Sequence, residues 1–185
     1  MKRRSNQSRI PAPPGGWPCI IDLEASSLGD DSYPIEVAWL ESDGSIVSHL
    51  IQPHWSWTDW SAKSAALHGI TRENIKAHGM EPRQLCGLLA DAWAGRMVLS
   101  DAPDWDGHWL KRLWQAGGQG DPPWKIADLD GWLENQLFER IDQASHRKAW
   151  LKSAMEQANI SSPPSHRAAV DVANLIAYCR IALQP

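Results

Sequence analysis

The sequence is poor in cysteine and has no long apolar run. Its 185 residues contain three cysteines, Cys19, Cys86 and Cys179. An odd number without CxxC spacing indicates neither a disulfide framework nor a zinc knuckle. No segment approaches the roughly 20 apolar residues of a membrane-spanning helix, and no apolar leader follows the N-terminus. We therefore expect a cytoplasmic protein with no membrane partner.

Positive charge is scarce beyond the N-terminus. The chain has 18 Lys and Arg against 22 Asp and Glu, a net charge of −4. Four of the basic residues lie in residues 1–16, which contain no acid, so 14 basic residues face 22 acidic ones in the remainder, a net charge of −8. This balance argues against a broadly basic nucleic-acid surface. An acidic body is explained if some of its carboxylates bind divalent metal.

The same charge pattern divides the chain into two parts. Residues 1–16 are basic and rich in proline and glycine without periodicity, so we interpret them as a flexible basic tail. A nucleic-acid-binding arm is the less favoured alternative. Residues 17–185 have the length and apolar content of a single domain.

The hydrophobic pattern predicts an α/β domain with strands first. Alternating apolar residues predict strands over 19–24, 35–40 and 46–51, and Asp43-Gly44 marks a hairpin turn between the last two. Further elements are helices near 60–67, 71–77 and 83–92, a strand at 97–99, a helix at 105–114, a strand at 124–127, and helices at 129–138, 145–158 and after Pro164. This order predicts a mixed sheet that begins as an antiparallel meander and is covered by helices.

Two acids share one face of the first strand. Asp22 and Glu24 are separated by one residue, so their side chains point in the same direction. Paired carboxylates repel each other and are costly to bury unless a cation compensates. Since strand ends often carry exposed acids, a structural interpretation stays open.

A third acid, Asp106, lies on the apolar stripe of the fourth helix, together with Trp109, Leu110 and Leu113. An acid in that position needs a partner. The alternative is that Asp104 or Asp101 caps the helix and Asp106 only favours its first turn through the helix dipole. Asp104 fits the cap better because it precedes the first expected helical residue.

The last helix carries a further acid close to a histidine. Asp171 lies at the edge of an apolar stripe formed by Val172, Leu175, Ile176 and Cys179, and His166 precedes it by five residues.

Four acids and one histidine suit metal-assisted phosphodiester cleavage. Carboxylates can bind two Mg²⁺ or Mn²⁺ ions about 4 Å apart, and histidine can take the proton from the attacking water.

These residues form motifs that resemble those of a known family. Asp22-x-Glu24, Trp105-Asp106-x-x-Trp109-Leu110 and His166-x-Ala168-x-x-Asp171 resemble, in order and spacing, the three exonuclease motifs of the DEDDh (DnaQ-like) 3′-to-5′ exonucleases. The segment His68-Gly69-Ile70-Thr71 is similar to a loop of that family, and the resemblance spans about residues 20–175. It implies an RNase H-like fold with a five-stranded mixed sheet.

The resemblance also implies roles for individual residues. Asp22, Glu24, Asp106 and Asp171 would hold two Mg²⁺ or Mn²⁺ ions, with Asp22 shared between them, and His166 would be the general base. Ala25, Ser26, Ser27 and His68 would contact the substrate, a single-stranded DNA or RNA 3′ end, which is shortened to nucleoside 5′-monophosphates. A homodimer or an association with a polymerase is compatible with the family.

Some positions depart from the family pattern or keep two interpretations. Ala25-Ser26-Ser27 stands where Thr-Thr-Gly is frequent, and Ser100-Asp101-Ala102 stands where His-Asn-Ala is frequent. These departures bear on substrate choice more than on catalysis. Glu36 we interpret as structural. The cluster of Trp55, Trp57 and Trp60 either packs the core or stacks on bases, and packing is favoured for each ring.

Two rival functions are also compatible with the sequence. The first is a catalytically silent nucleic-acid-binding or polymerase-associated module, which the complete set of acids disfavours because a binding module has no use for repelling carboxylates. The second is an endonuclease or integrase-like relative on the same fold. Nothing in the sequence reads a 2′-hydroxyl, so DNA and RNA stay equal as substrates.

Overall fold

The computed structural model describes residues 16–161, 163 and 165–184. The tail predicted over residues 1–16 therefore lies outside the described residues, apart from Gly16. The described residues form one five-stranded sheet, with strands β1 (Cys19–Ala25), β2 (Pro34–Leu40), β3 (Ile46–Leu50), β4 (Val98–Ser100) and β5 (Ala127–Asp128). The helices are α1 (Ala62–His68), α2 (Arg72–His78), α3 (Pro82–Ala92), α4 (Pro103–Ala116), α5 (Leu129–Gln136), α6 (Ala144–Ser161) and α7 (Ala168–Ala182).

The sheet has the strand order β3-β2-β1-β4-β5. The first three strands form an antiparallel meander, whereas β4 lies parallel to β1 and β5 lies parallel to β4. The predicted mixed sheet, antiparallel first and then parallel, is confirmed. Since β1 is central and parallel to β4, the carboxyl ends of both strands meet at one edge, and the chain leaves β4 there to enter α4.

The two faces of β1 pack against different helices. Ile21 and Leu23 belong to a core with α3 and α4, whereas Ile20 belongs to a second core with α5, α6 and α7. Because side chains alternate along a strand, Asp22 and Glu24 continue the Ile20 face, on which α7 packs. None of the described helices is long and apolar enough to cross a lipid bilayer.

The start of α4 differs from the expectation. The helix begins at Pro103, with Ala102 as the cap residue and no side-chain capping bond. Asp104 therefore lies in the first turn, and the alternative in which Asp104 or Asp101 caps the helix is wrong. Proline is well suited to the first helical position because its φ is already helical and it lacks the N–H that would need a partner. The Ala102 N–H donates to the Ser100 hydroxyl at 2.8 Å instead.

Candidate active site

A cavity of about 560 Å³ opens at the edge where β1 and β4 end. Its walls come from β1, α1, α4, α6 and α7 and from the loop after β4. The lining includes five acids and two histidines, namely Asp22, Glu24, Asp101, Asp106, Asp171, His68 and His166. Among the described residues that line it there is no Lys or Arg, so no cationic side chain of the described lining balances these acids.

The two β1 acids, Asp22 and Glu24, line this cavity. Burial, followed by repulsion from Asp106 and Glu24, holds the pKa of Asp22 well above its ordinary value. The Asp22 Oδ2 atom is buried and has no hydrogen-bond partner among the described residues. For Glu24, burial and the charge of Asp171 raise the pKa to about 8. Both carboxylates are therefore in a setting that disfavours their charged form unless a cation is present.

Asp106 is held by two bonds at the junction of three elements. Its side chain is 2% exposed. The backbone N–H of Leu23 donates to Oδ1 at 3.2 Å, and the Ser100 hydroxyl donates to Oδ2. Burial raises the pKa of Asp106, and the Ser100 bond opposes that rise. The predicted stripe is confirmed, because Leu110 and Leu113 on the same helix are fully buried.

The first turn of α7 brings in the remaining motif. One ligand atom each from Glu24, His166 and Asp171 lies within 4.8 Å of the others. Asp171 also accepts the Ser165 N–H at 2.9 Å. His166 has a φ of 53°, in the left-handed region that non-glycine residues rarely adopt. The structure therefore brings the three sequence motifs into one cavity, although they are separated by up to about 150 residues.

The predicted substrate contacts divide into two groups. Ala25, Ser27 and His68 line the cavity. Ser26 does not: it is fully buried, its hydroxyl donates to Asp59 Oδ2 at 2.7 Å, and it accepts the Tyr33 N–H at 3.1 Å. The Ser26 hydroxyl thus ties the loop after β1 to the chain before α1.

His68 offers a defined donor. Its Nδ1 accepts the Ile70 N–H at 3.0 Å, so the tautomer assigned from this bond carries its proton on Nε2. Burial lowers the pKa of His68, which keeps the ring neutral. The Nε2 atom is buried and has no partner in the described part of the chain. A neutral N–H donor on the cavity wall is suited to a substrate oxygen.

Several lining residues were missed by the sequence argument. Asp101, considered only as a cap or as a family departure, lines the cavity, and burial and the charge of Asp171 raise its pKa. Asn174 of α7 donates to Asn159 of α6 at 2.9 Å, and both residues face the cavity. Asn159 belongs to no motif, and only the packing of α6 against α7 places it here. The cavity also has exposed apolar residues at its mouth: Leu28, Leu67 and Trp105.

The tryptophan cluster before α1 packs mostly within the protein. Trp57 is stacked on Tyr33 with ring centroids 4.9 Å apart. Trp60 makes an edge contact with His68 at 6.3 Å, and Trp55 is 87% exposed. None of the three tryptophans is among the described residues that line the cavity. Packing therefore accounts for Trp57 and Trp60, and Trp60 supports the ring of His68.

The donor set fits divalent cations. Asp22 presents a buried oxygen without a hydrogen-bond partner among the described residues, and the pKa values of Asp22, Glu24 and Asp106 are all raised. No Lys or Arg among the described lining residues balances these acids. Carboxylate oxygens are the ligands that Mg²⁺ and Mn²⁺ prefer. His166 could serve either as a ligand or as a base, because its ring nitrogen is close to two of the carboxylates.

Comparisons with known proteins give a structural result only. No family model matches the chain, and no curated protein is similar to it in sequence. E. coli exonuclease I in complex with a dT13 oligonucleotide has a TM-score of 0.64 and 13% identity, over 90% of this chain and 40% of that one. A structure of exonuclease I that addresses processivity has a TM-score of 0.66 and 14% identity, over 88% and 40%.

The zinc-bound form of the E. coli exonuclease I complex with single-stranded DNA is similar as well. Its TM-score is 0.62 at 14% identity, over 89% of this chain and 39% of that one. The chain thus spans about two fifths of the exonuclease I chains that it matches. At such identities the likeness concerns architecture. The chain has the RNase H-like fold of exonuclease I.

Proposed function

We propose that the chain is a DEDDh-type 3′-to-5′ exonuclease that depends on divalent metal and releases nucleoside 5′-monophosphates from single-stranded 3′ ends. The observation that carries the proposal is the convergence of Asp22, Glu24, Asp106, Asp171 and His166 in one cavity whose described lining lacks Lys and Arg. Repelling carboxylates destabilise a fold, and metal-assisted chemistry explains why they are kept together.

Four acids would hold the metal. Asp22, Glu24, Asp106 and Asp171 offer oxygens from β1, α4 and α7 to two Mg²⁺ or Mn²⁺ ions. When bound, such ions stabilise the charge that develops on the attacking and leaving oxygens of the phosphodiester. Asp106 is held rigidly by Leu23 and Ser100, so its ligand geometry exists before any ion arrives.

His166 would act as the general base. It is exposed and lines the cavity, so water can reach its ring. One ligand atom each of His166, Glu24 and Asp171 lies within 4.8 Å of the others, so the base would lie beside the proposed metal ligands. A positioned base of this kind typically contributes about 10² to 10⁴ in rate.

The walls of the cavity suit the end of a single strand. The apolar mouth formed by Leu28, Leu67 and Trp105 can pack against unstacked bases. Ala25 and Ser27 offer a close approach beside the acids, and His68 offers its Nε2–H donor. Exonuclease I, which shares the fold, has been solved with dT13 and with single-stranded DNA, and this supports the substrate class proposed for this chain.

A nuclease assay tests the proposal directly. A 5′-labelled oligonucleotide, as DNA and in parallel as RNA, is incubated with Mg²⁺ or Mn²⁺, and a ladder that shortens from the 3′ end is expected. A circular single strand should stay intact, since cleavage of the circle would indicate an endonuclease. If the wild-type protein cuts neither DNA nor RNA, the enzymatic proposal fails.

Metal titration separates the enzyme from a silent binding module. The enzyme should bind Mn²⁺ with two sites per chain, and Asp22→Asn should remove that binding. A silent module should show no two-site Mn²⁺ binding.

Light scattering of the same preparation tests the homodimer that the family resemblance allows. Repeating the measurement with a polymerase in the sample tests the association with a polymerase that the resemblance also allows.

A further inference from the structure

Glu36 and Arg167 form a bidentate ion pair next to the cavity. The Glu36 side chain is 3% exposed and that of Arg167 is 47% exposed. Arg167 donates from Nε at 3.1 Å and from Nη2 at 2.9 Å, one bond to each carboxylate oxygen. The backbone N–H of Ala168, the first residue of α7, donates to the same carboxylate at 3.1 Å. Glu36 thus fixes the first turn of α7 from a neighbouring strand.

The segment held by this pair contains His166. Arg167 follows His166 directly, and His166 adopts a φ of 53°, unlike every other non-glycine residue that the structure describes. Such a conformation persists when its surroundings fix it. On one side of His166 the Ser165 N–H is bound by Asp171 at 2.9 Å, and on the other side Arg167 is bound by Glu36. The residues on both sides of His166 are therefore held by hydrogen bonds, which restricts the direction in which its ring can point.

The ion pair also offsets the repulsion between two acids on neighbouring strands. Glu36 of β2 lies directly opposite Glu24 of β1 in the antiparallel register. Like charges in opposite positions destabilise a sheet. The guanidinium of Arg167 offsets the charge of Glu36 and leaves Glu24 available to the cavity. Neither Glu36 nor Arg167 lines the cavity, so neither is placed to touch the substrate.

We propose that Glu36 and Arg167 are positioning residues that fix the His166 ring relative to Glu24 and Asp171. The consequence for turnover rests on the proposed function, but the consequence for the ring does not. Because the fork of two parallel bonds sets the direction of the segment, lysine cannot replace Arg167 even though it restores the charge.

The test uses the full chain with three variants, Arg167→Gln, Arg167→Lys and a matched control. The control is Arg96→Gln, which breaks another partly buried ion pair, to Glu41 at the end of β2, away from the cavity. All three proteins are compared with the wild type by thermal unfolding, by oligonucleotide kinetics, and by the carbon–proton NMR signal of the His166 ring without metal. That signal is assigned by its loss in His166→Asn.

Both Arg167 variants should move the His166 ring signal toward that of an unstructured histidine, and the control should not. Both should also lower kcat by about 10-fold to 100-fold, with KM changed by less than about twofold. An unchanged ring signal, or full kcat in Arg167→Lys, overturns the positioning role. If the wild type has no nuclease activity, the proposed function fails by itself, and the ring signal still decides the positioning role.

Discussion

Asp22 lies in a cluster of acids at the cavity. It is surrounded by Asp106, Glu24, Asp171 and Asp101, all of which raise its pKa in addition to burial. One of its oxygens is buried without a hydrogen bond. In the absence of metal this arrangement costs stability, so function and stability oppose each other at this residue.

Replacing Asp22 with Asn should therefore stabilise the metal-free protein and strongly lower its activity. We expect a gain of about 1 kcal/mol in the free energy of unfolding, because a neutral amide removes the repulsion. Activity should fall by about 10³-fold, since a metal ligand supplies several kcal/mol of transition-state stabilisation. Thermal unfolding in EDTA and the oligonucleotide assay measure the two effects.

Asp104→Asn is the matched control, because Asp104 is exposed in the first turn of α4 and does not line the cavity. It should lower stability slightly, through the lost interaction with the helix dipole, and leave activity intact. An Asp22→Asn protein that shortens oligonucleotides at a rate close to that of the wild type would contradict the assigned role.

The raised pKa of Glu24 predicts that the metal-free protein loses stability as the pH rises. Burial and then Asp171 raise its pKa from 4.5 to about 8, so the folded protein keeps this proton where the unfolded chain has lost it. The stabilising contribution is complete below pH 4.5 and is lost as the pH rises through about 8. Metal-free wild type should thus lose stability relative to Glu24→Gln across this window.

Urea unfolding of both proteins in EDTA at several pH values measures that difference. Added Mn²⁺ should stabilise the wild type more at pH 8 than at pH 5.5, because the ion needs the charged carboxylate. Parallel stability curves for wild type and Glu24→Gln would show that the proton on Glu24 is not linked to folding.

His166 and Asp171 differ in what their loss should do. If His166 is the general base, His166→Ala should retain Mn²⁺ binding, and its activity should fall by about 10²-fold to 10⁴-fold. Asp171→Asn should weaken Mn²⁺ binding and activity together. Isothermal titration with Mn²⁺ distinguishes the two variants. Equal loss of metal in both would make His166 a ligand instead of a base.

At the scale of elements, the junction between β4 and α4 is set by Ser100. This residue is fully buried, its hydroxyl donates to Asp106, and it accepts the Ala102 N–H at the start of the helix. One hydroxyl thus orients the α4 acid and satisfies a backbone donor. No sequence pattern marks this role.

Ser100→Ala should lower both stability and activity. A loss of about 1 to 3 kcal/mol is expected, because buried partners are left without bonds, and activity should fall about 10-fold to 100-fold since Asp106 is no longer fixed. Thr71→Ala removes the hydroxyl cap of α2, which does not line the cavity, and should cost about 1 kcal/mol without affecting turnover. Unfolding curves and initial rates are measured for both variants and for the wild type. An initial rate of Ser100→Ala equal to that of the wild type would contradict the orienting role of Ser100.

The elements show what the sequence can and cannot predict. Local patterns were sufficient for β1, for the hairpin of β2 and β3 and for the Asp106 stripe, because alternation and helical period are properties of neighbouring residues. The contact between Glu36 and the start of α7 joins residues 132 positions apart, so no local pattern contains it. The same holds for Asn159, which reaches the cavity only through the packing of α6 on α7.

On the scale of the whole molecule, negative charge repels the proposed substrate unless metal is bound. The net charge is −4, and the described lining of the cavity has five acids and no Lys or Arg. A phosphate in that cavity is repelled by the bare protein. Two divalent ions would bring four positive charges to these five acids and remove most of the repulsion, so binding of a 3′ end should be local and dependent on metal.

Oligonucleotide binding by His166→Ala, the variant expected to keep metal but not to cut, measures that dependence by fluorescence anisotropy. Mn²⁺ should tighten binding about tenfold or more over EDTA, a difference of about 1.4 kcal/mol. If instead the four basic residues of the N-terminal segment, Lys2, Arg3, Arg4 and Arg9, carry the affinity, the double-logarithmic salt slope should approach about −3. Changing those four residues to Gln should then remove binding with or without metal.

Binding centred on the cavity predicts a different result. The increase in oligonucleotide affinity on adding Mn²⁺ should survive the change of these four residues to Gln, since the ions and not the basic segment supply the positive charge at the site.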